Sequence, residues 1–142
     1  MARVSIYLNF MGSTEEAFAF YAEAFGTEVT ALQRFGDVPA PEGAPAMSAE
    51  DQAKVLHAEL PILTGTVLMG TDMLESMGHA VRIGNNTTIN LEPDSLEETQ
   101  RLYDALSAGS TEGAPLQEMF WGAWWGTCLD RYGIRWMFNA PL

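Results

Sequence analysis

The sequence has 142 residues, 47% hydrophobic and 18% charged, which fits a soluble globular protein of one domain or of two small modules sharing a core. Its net charge of −12 disfavours phosphate backbones and anionic membrane surfaces as partners; the bland reading of that charge is solubility, and a cationic ligand would be helped by it. No run of about 18 apolar residues offers a membrane-spanning helix; the start Met1-Ala2-Arg3-Val4-Ser5 lacks the pattern of a signal peptide, and a single cysteine, Cys128, cannot form an internal disulfide, so a cytoplasmic location is expected.

In chain order, alternation of apolar and polar residues predicts a strand over 4–10, and a serine followed by acidic residues predicts a helix over 14–25 that stops at Gly26. Strands follow over 27–35, 54–61 and 66–72, with a proline-rich loop over 39–46 between the first two. A linker over 75–84 leads to a second set: strand 86–92, helix 96–108, and strands 116–121, 123–129 and 134–139. Asp130-Arg131-Tyr132-Gly133 should turn the last hairpin, with Gly133 supplying a positive φ.

The two sets are copies. Ser13, Glu15, Glu16 and Tyr21 recur as Ser95, Glu97, Glu98 and Tyr103, at an offset of 82 (95 − 13). Each serine and its second glutamate fit a Ser-x-x-Glu capping box. Ile6 and Leu8 match Ile89 and Leu91, and Gly65 to Thr71 aligns with Gly133 to Asn139, with Met69 opposite Met137 in the alignment. The order β-α-β-β-β therefore occurs twice. Alternation puts Ser5, Tyr7, Asn9, Thr88 and Asn90 on the sheet faces away from the helices. It also separates Ile134, Trp136 and Phe138 from Arg135, Met137 and Asn139.

These segments carry a resemblance that covers nearly the whole chain. Tyr7-Leu8-Asn9-Phe10, Glu16-Ala17 leading to Phe20-Tyr21, His57-Ala58-Glu59-Leu60, Leu68-Met69-Gly70-Thr71-Asp72, Gly84-Asn85-Asn86, Phe120-Trp121-Gly122 and Asp130 to Met137 resemble, in order and spacing, the PhnB-like branch of the vicinal oxygen chelate superfamily, which holds glyoxalase I, extradiol dioxygenases and fosfomycin- and bleomycin-resistance proteins. The resemblance implies an α+β fold of two tandem β-α-β-β-β modules forming a curved mixed sheet, module one over 1–74 and module two over 85–142, and it implies a homodimer. Members of the branch are often labelled demethylubiquinone methyltransferase-like. The sequence has no Gly-rich turn of the kind that holds S-adenosylmethionine after a first strand, so methyl transfer is not expected.

The resemblance also implies where a metal would sit. In metal-using members, His or Gln from each module's first strand and Glu from each last strand hold the ion; those positions fall near Ser5 or Tyr7, near Thr88, and on Met69 and Met137. Thioethers and hydroxyls are poor ligands for zinc, nickel, manganese or iron. No metal and no cofactor is therefore expected; Met69 and Met137 line a pocket or fill the core.

Other residues remain open. His57 and Glu59 share a strand face, and with Asp72 they could form a general base with an orienting carboxylate or hold a metal; a plain His–Glu hydrogen bond is the alternative. Tyr7, Asn9, Met69, Thr88, Trp121, Trp125, Arg135, Met137 and Asn139 are the candidate ligand-binding set, Arg135 favouring an anionic ligand. Trp136 is expected in the core and Cys128 as a buried, inert thiol. Three functions fit: a metal-independent binder of an unidentified small molecule, a glyoxalase-like enzyme of lyase or dioxygenase type using His57, Glu59 or Asp72, and a structural or regulatory dimer with a vestigial pocket.

Overall fold

A computed structural model describes residues 1–141. It divides between Val81 and Arg82 into two compact units. The first runs β1 (Ile6–Phe10), α1 (Thr14–Phe25), β2 (Ala31–Arg34), a short α2 (Ala49–Gln52), β3 (Val55–Pro61) and β4 (Val67–Asp72). The second runs β5 (Ile89–Leu91), α3 (Leu96–Ser107), β6 (Glu112–Glu118), β7 (Ala123–Leu129) and β8 (Arg135–Pro141). Each unit builds its own four-stranded mixed sheet, ordered β1-β4-β3-β2 and β5-β8-β7-β6, so the strands form two sheets rather than one continuous sheet. The α+β class and the duplicated module order are as the sequence predicts.

The register makes the duplication concrete. β1 and β4 are parallel with Ile6 opposite Leu68 and Tyr7 opposite Met69; β5 and β8 are parallel with Ile89 opposite Trp136 and Asn90 opposite Met137. Antiparallel partners continue it, with Glu59 opposite Met69 in one sheet and Thr127 opposite Met137 in the other.

Helices cover one face of each sheet. In the first unit Phe18 and Tyr21 of α1 are fully buried with Leu60 and Leu68. Gly70 permits this closeness, because a Cβ there would stand 2.7 Å from the Phe18 ring. In the second unit the position of Gly70 is held by Phe138, whose ring meets Tyr103 of α3 edge to face at 5.2 Å. The bulky aromatic comes from the helix in one copy and from the strand in the other. Trp136 is fully buried on this face, as predicted.

The helix starts differ from expectation. Ser95 caps α3 by accepting from the Glu98 amide at 3.1 Å, yet Glu98 turns to Arg101 instead of closing the box. Ser13 makes no side-chain cap bond. Asp72 takes that role: its carboxylate accepts from the Thr14 amide at 3.0 Å and hydroxyl at 2.7 Å, and from the Val55 amide at 2.8 Å. A tertiary contact thus replaces a local cap. At the other end Gly26 adopts φ 68° and closes α1 where the sequence placed the stop.

Several strand limits move. The predicted strand over 27–35 shrinks to Ala31–Arg34, and Phe35–Asp37 forms a turn of 3₁₀-helix. The strand predicted over 86–92 covers only Ile89–Leu91. The strand predicted over 116–121 is Glu112–Glu118. β6 is a sheet edge with an irregularity between Ala114 and Gln117, which is where Pro115 can be tolerated. The short α2 was not foreseen; it is capped by Ser48, and its buried Asp51 accepts from Ser76 and pairs with Lys54.

Candidate functional site

The faces left open by the helices carry the polar side chains, and each unit presents its own set. In the first unit the sheet displays Tyr7 and Asn9 from β1, Met69 from β4, and His57 and Glu59 from β3, none of them buried. Ser5 donates to the Met69 sulfur at 3.8 Å. The Tyr7 hydroxyl stands 3.1 Å from His57 Nδ1, and the two rings lie 5.7 Å apart. The other imidazole nitrogen of His57 faces the Glu59 carboxylate at 3.7 Å, an ion-pair distance when the imidazole is protonated. Tyr7 and His57 come from strands that are not neighbours, so the phenol reaches across β4.

Asp72 does not join this group. It belongs to the buried alternation of β4, on the helix side, and its two oxygens hold Thr14 and Val55. The expected His57, Glu59 and Asp72 constellation is therefore a pair, with Tyr7 as the third member. Among the described residues no three His, Cys, Asp or Glu side chains converge as metal ligands.

In the second unit the open face holds Asn90, Met137, Asn139, Trp125 and Thr127. Asn139 donates to the Asn90 side chain at 2.6 Å, and Trp125 lies opposite Asn139 in register. A shallow cleft of about 190 Å³ is lined by Thr88, Asn85, Glu112, Thr127 and Arg135, among others. Arg135 is already engaged there: its guanidinium pairs with Glu112 and donates to the Gly84 carbonyl at 2.6 Å. The anion preference read from a lone arginine does not follow from this arrangement, because the carboxylate offsets the charge. Trp121 lies in the turn between β6 and β7, half exposed, with the almost fully exposed Phe120 against it.

Asn90, Glu112 and Thr127 escaped the sequence reading as site residues. Asn90 had a signal, since it stands 83 residues after Tyr7 (90 − 7), the offset that relates Ile6 to Ile89. Glu112 had none, because its partner lies two strands and 23 residues away. Cys128 is buried beside this face, and burial first, then the nearby Asp130 charge, pushes its thiol up to about 12.

The superfamily's metal positions can be checked against these donors. Met69 offers a thioether that already accepts from Ser5, with Tyr7 beside it; Met137 offers a second thioether next to the Asn90 amide. On neither face do these donors fit a hard or borderline divalent cation, which asks for carboxylate oxygen or imidazole nitrogen.

The family model described as 3-demethylubiquinone-9 3-methyltransferase matches residues 2–138. Protein YjdN of Escherichia coli (strain K12) is 30% identical across 96% of this chain and 94% of its own. Protein PA1353 from Pseudomonas aeruginosa has a solved structure similar at a TM-score of 0.83 and 32% identity, covering 99% of this chain and 98% of that one. A putative 3-demethylubiquinone-9 3-methyltransferase, PhnB protein, from Bacillus cereus is similar at a TM-score of 0.72 and 23% identity, covering 98% of this chain and 99% of that one. Structures of the glyoxalase/bleomycin resistance protein/dioxygenase group share the fold at lower identity.

Proposed function

Because the chain belongs to the PhnB-like family described as 3-demethylubiquinone-9 3-methyltransferase, in the glyoxalase/bleomycin resistance/dioxygenase superfamily, its site is sought on the open sheet faces, and we propose that it is a metal-independent small-molecule-binding protein that works as a homodimer. One observation carries the reading. Met69 and Met137 occupy register-equivalent places on the two open faces, at the positions where the resemblance to metal-using members implies carboxylates. Methionine gives each face a flexible, polarizable lining that adapts to an apolar ligand; the Ser5 and Tyr7 hydroxyls can orient one on the first face, and the Asn90 and Asn139 amides one on the second.

Methyl transfer is not assigned, despite the family's description. A nucleotide-type cofactor of that reaction is usually held where a glycine-rich turn joins a strand of a parallel sheet to its helix. Here β1 enters α1 through Met11-Gly12-Ser13, and both sheets are mixed. A second reading, an enzyme that moves a proton, is favoured by the hydrogen bond between Tyr7 and His57. It would use His57 and Glu59 without Asp72.

The test is a thermal-shift screen of small molecules run with and without a chelator. A ligand specific for the folded state at about 100 times its Kd should add about 2.7 kcal/mol of stability, and the gain should be the same in both conditions. Loss of the gain with chelator would overturn the metal-independent reading; no stabilising ligand would leave the face an empty scaffold. The dimer is supported by the exposed aromatic pair Phe120 and Trp121, side chains of the kind enriched in interfaces, and light scattering on the eluting protein checks it. No helix of the described residues is long and apolar enough to cross a membrane.

A further inference from the structure

The open face of the first unit holds a connected chain of three groups: the Glu59 carboxylate, the His57 imidazole and the Tyr7 phenol. Gln33 of β2 lies opposite His57 and carries no charge; Met69 of β4 lies opposite both Tyr7 and Glu59. Arg34, one residue further along β2, is tied to Glu15. Among the described residues, Tyr7 meets one ring nitrogen of His57 and Glu59 faces the other.

The consequence depends on which atom holds the proton. When His57 is neutral with its proton on Nε2, Nδ1 accepts from Tyr7, and the phenol oxygen presents a lone pair outward. When His57 is protonated, Nδ1–H donates to Tyr7, and the phenol turns its own O–H outward. In the second state the Glu59 carboxylate stands 3.7 Å from the other ring nitrogen, at ion-pair distance. The phenol is therefore an acceptor in one state and a donor in the other.

We infer that Glu59, His57 and Tyr7 form a proton-accepting site for a weakly acidic hydroxyl compound, a phenol or an enol, which the protein takes up neutral and holds as its anion. This rests on the small-molecule-binding reading above and names its ligand class. In the step, the ligand O–H bond breaks and its proton joins the Tyr7 oxygen. The Tyr7 O–H bond that faced His57 breaks, and that proton joins Nδ1. Tyrosine ends neutral, His57 ends as imidazolium beside Glu59, and the ligand ends as an oxyanion accepting from the Tyr7 hydroxyl. Atoms and charge balance with no other reactant.

Two features select weak acids. A ligand already ionised in water has no proton to give, and Glu59 and the net charge of −12 would repel it. A neutral hydroxyl compound brings its own proton, so the imidazolium it creates offsets the charge of the anion it becomes. The Met69 thioether and the half-exposed Tyr7 ring offer a soft apolar bed for a planar carbon skeleton.

The experiment uses 4-nitrophenol as probe, because its anion is yellow and its neutral form is not. The full-length protein is titrated with it across pH, and the apparent pKa of the bound probe is read from absorbance. The wild type should lower it by about one unit or more relative to free probe. His57→Gln and Tyr7→Phe should each bind the probe with that shift lost, and Glu59→Gln should lose part of it; circular dichroism melts confirm folding. If either of the first two variants does not fold, the wild type still decides: NMR should show the His57 ring becoming protonated as probe binds. Probe bound without a shift, a shift kept in His57→Gln, or a ring that stays neutral would overturn the inference and leave the binding function standing. No binding of the probe, with other ligands stabilising the protein, would overturn the ligand class alone. No stabilising ligand of any kind would bring down the binding function as well.

Discussion

The two units share one backbone plan and divide its side chains differently. At matched places the first open face carries Tyr7, His57 and Glu59, and the second carries Asn90, Trp125 and Thr127. The first face is titratable and its groups run in a chain. The second is uncharged at those places, and the ion pair of Arg135 with Glu112 lines a small cleft. The helix sides diverge as well: Phe18 fills the space above Gly70 in one unit, and Phe138 fills it from the strand in the other. A duplicated fold keeps register and total bulk, and leaves the chemistry of each face free to differ.

The largest effects should come from the aromatic exchange. Phe138→Ala removes a fully buried ring, and about 3–5 kcal/mol of stability should go with it. Gly70→Ala does the opposite, forcing a Cβ against Phe18, and should cost about 1–3 kcal/mol. Denaturant titrations of the two variants check the pair. If Gly70→Ala were neutral, the close packing of α1 on β4 would not be as described.

Next come the buried carboxylates. Asp72 anchors the start of α1 to β3; Asp130 accepts from the Tyr132 and Ile134 amides and from the Trp136 indole, holding the β7–β8 turn. Replacing either by alanine leaves buried donors unmatched and should cost about 2–3 kcal/mol by thermal or chemical denaturation. A neutral Asp72→Ala would restore Asp72 as a candidate for the site.

A smaller contrast lies at the helix caps. Ser95→Ala should cost about 1 kcal/mol, whereas Ser13→Ala should cost only a few tenths, because Ser13 makes no cap bond. Equal losses would mean that Ser13 caps α1 in solution.

At neutral pH Cys128 gives the mildest effect, and its contribution shows only in alkali. Its folded thiol lies at about 12, above the value near 8.5 of an exposed cysteine. Below that exposed value both states keep the proton and the contribution is complete. As pH rises, the unfolded thiol ionises first, so stability falls between roughly pH 8.5 and 12. Cys128→Ala should flatten that part of a stability-against-pH curve, and the native thiol should resist alkylation at pH 8.

Much of this was legible in the sequence because it is periodic or local. The apolar spacing and Gly26 define α1 at Thr14–Phe25, and alternation sends Trp136 to the core and Met137 to the open face. Pairings between distant strands were not legible. Tyr7 meets His57 across an intervening strand, and Asp72 displaces Ser13 from the cap through a contact 58 residues away. Nothing in the local sequence distinguishes an aspartate that ends a strand facing the helix from one facing the site until the register is known. Pro115 hid the start of β6, because its tolerance depends on that strand being an edge.

The central claim of the proposed function is metal-independent binding, with the Met69 and Met137 thioethers on the two open faces holding no divalent metal. Elemental analysis of protein purified without an affinity tag tests it most directly. Zinc, nickel, manganese and iron well below one equivalent per chain are the predicted result; any one of them near one equivalent, retained through dialysis, would contradict it.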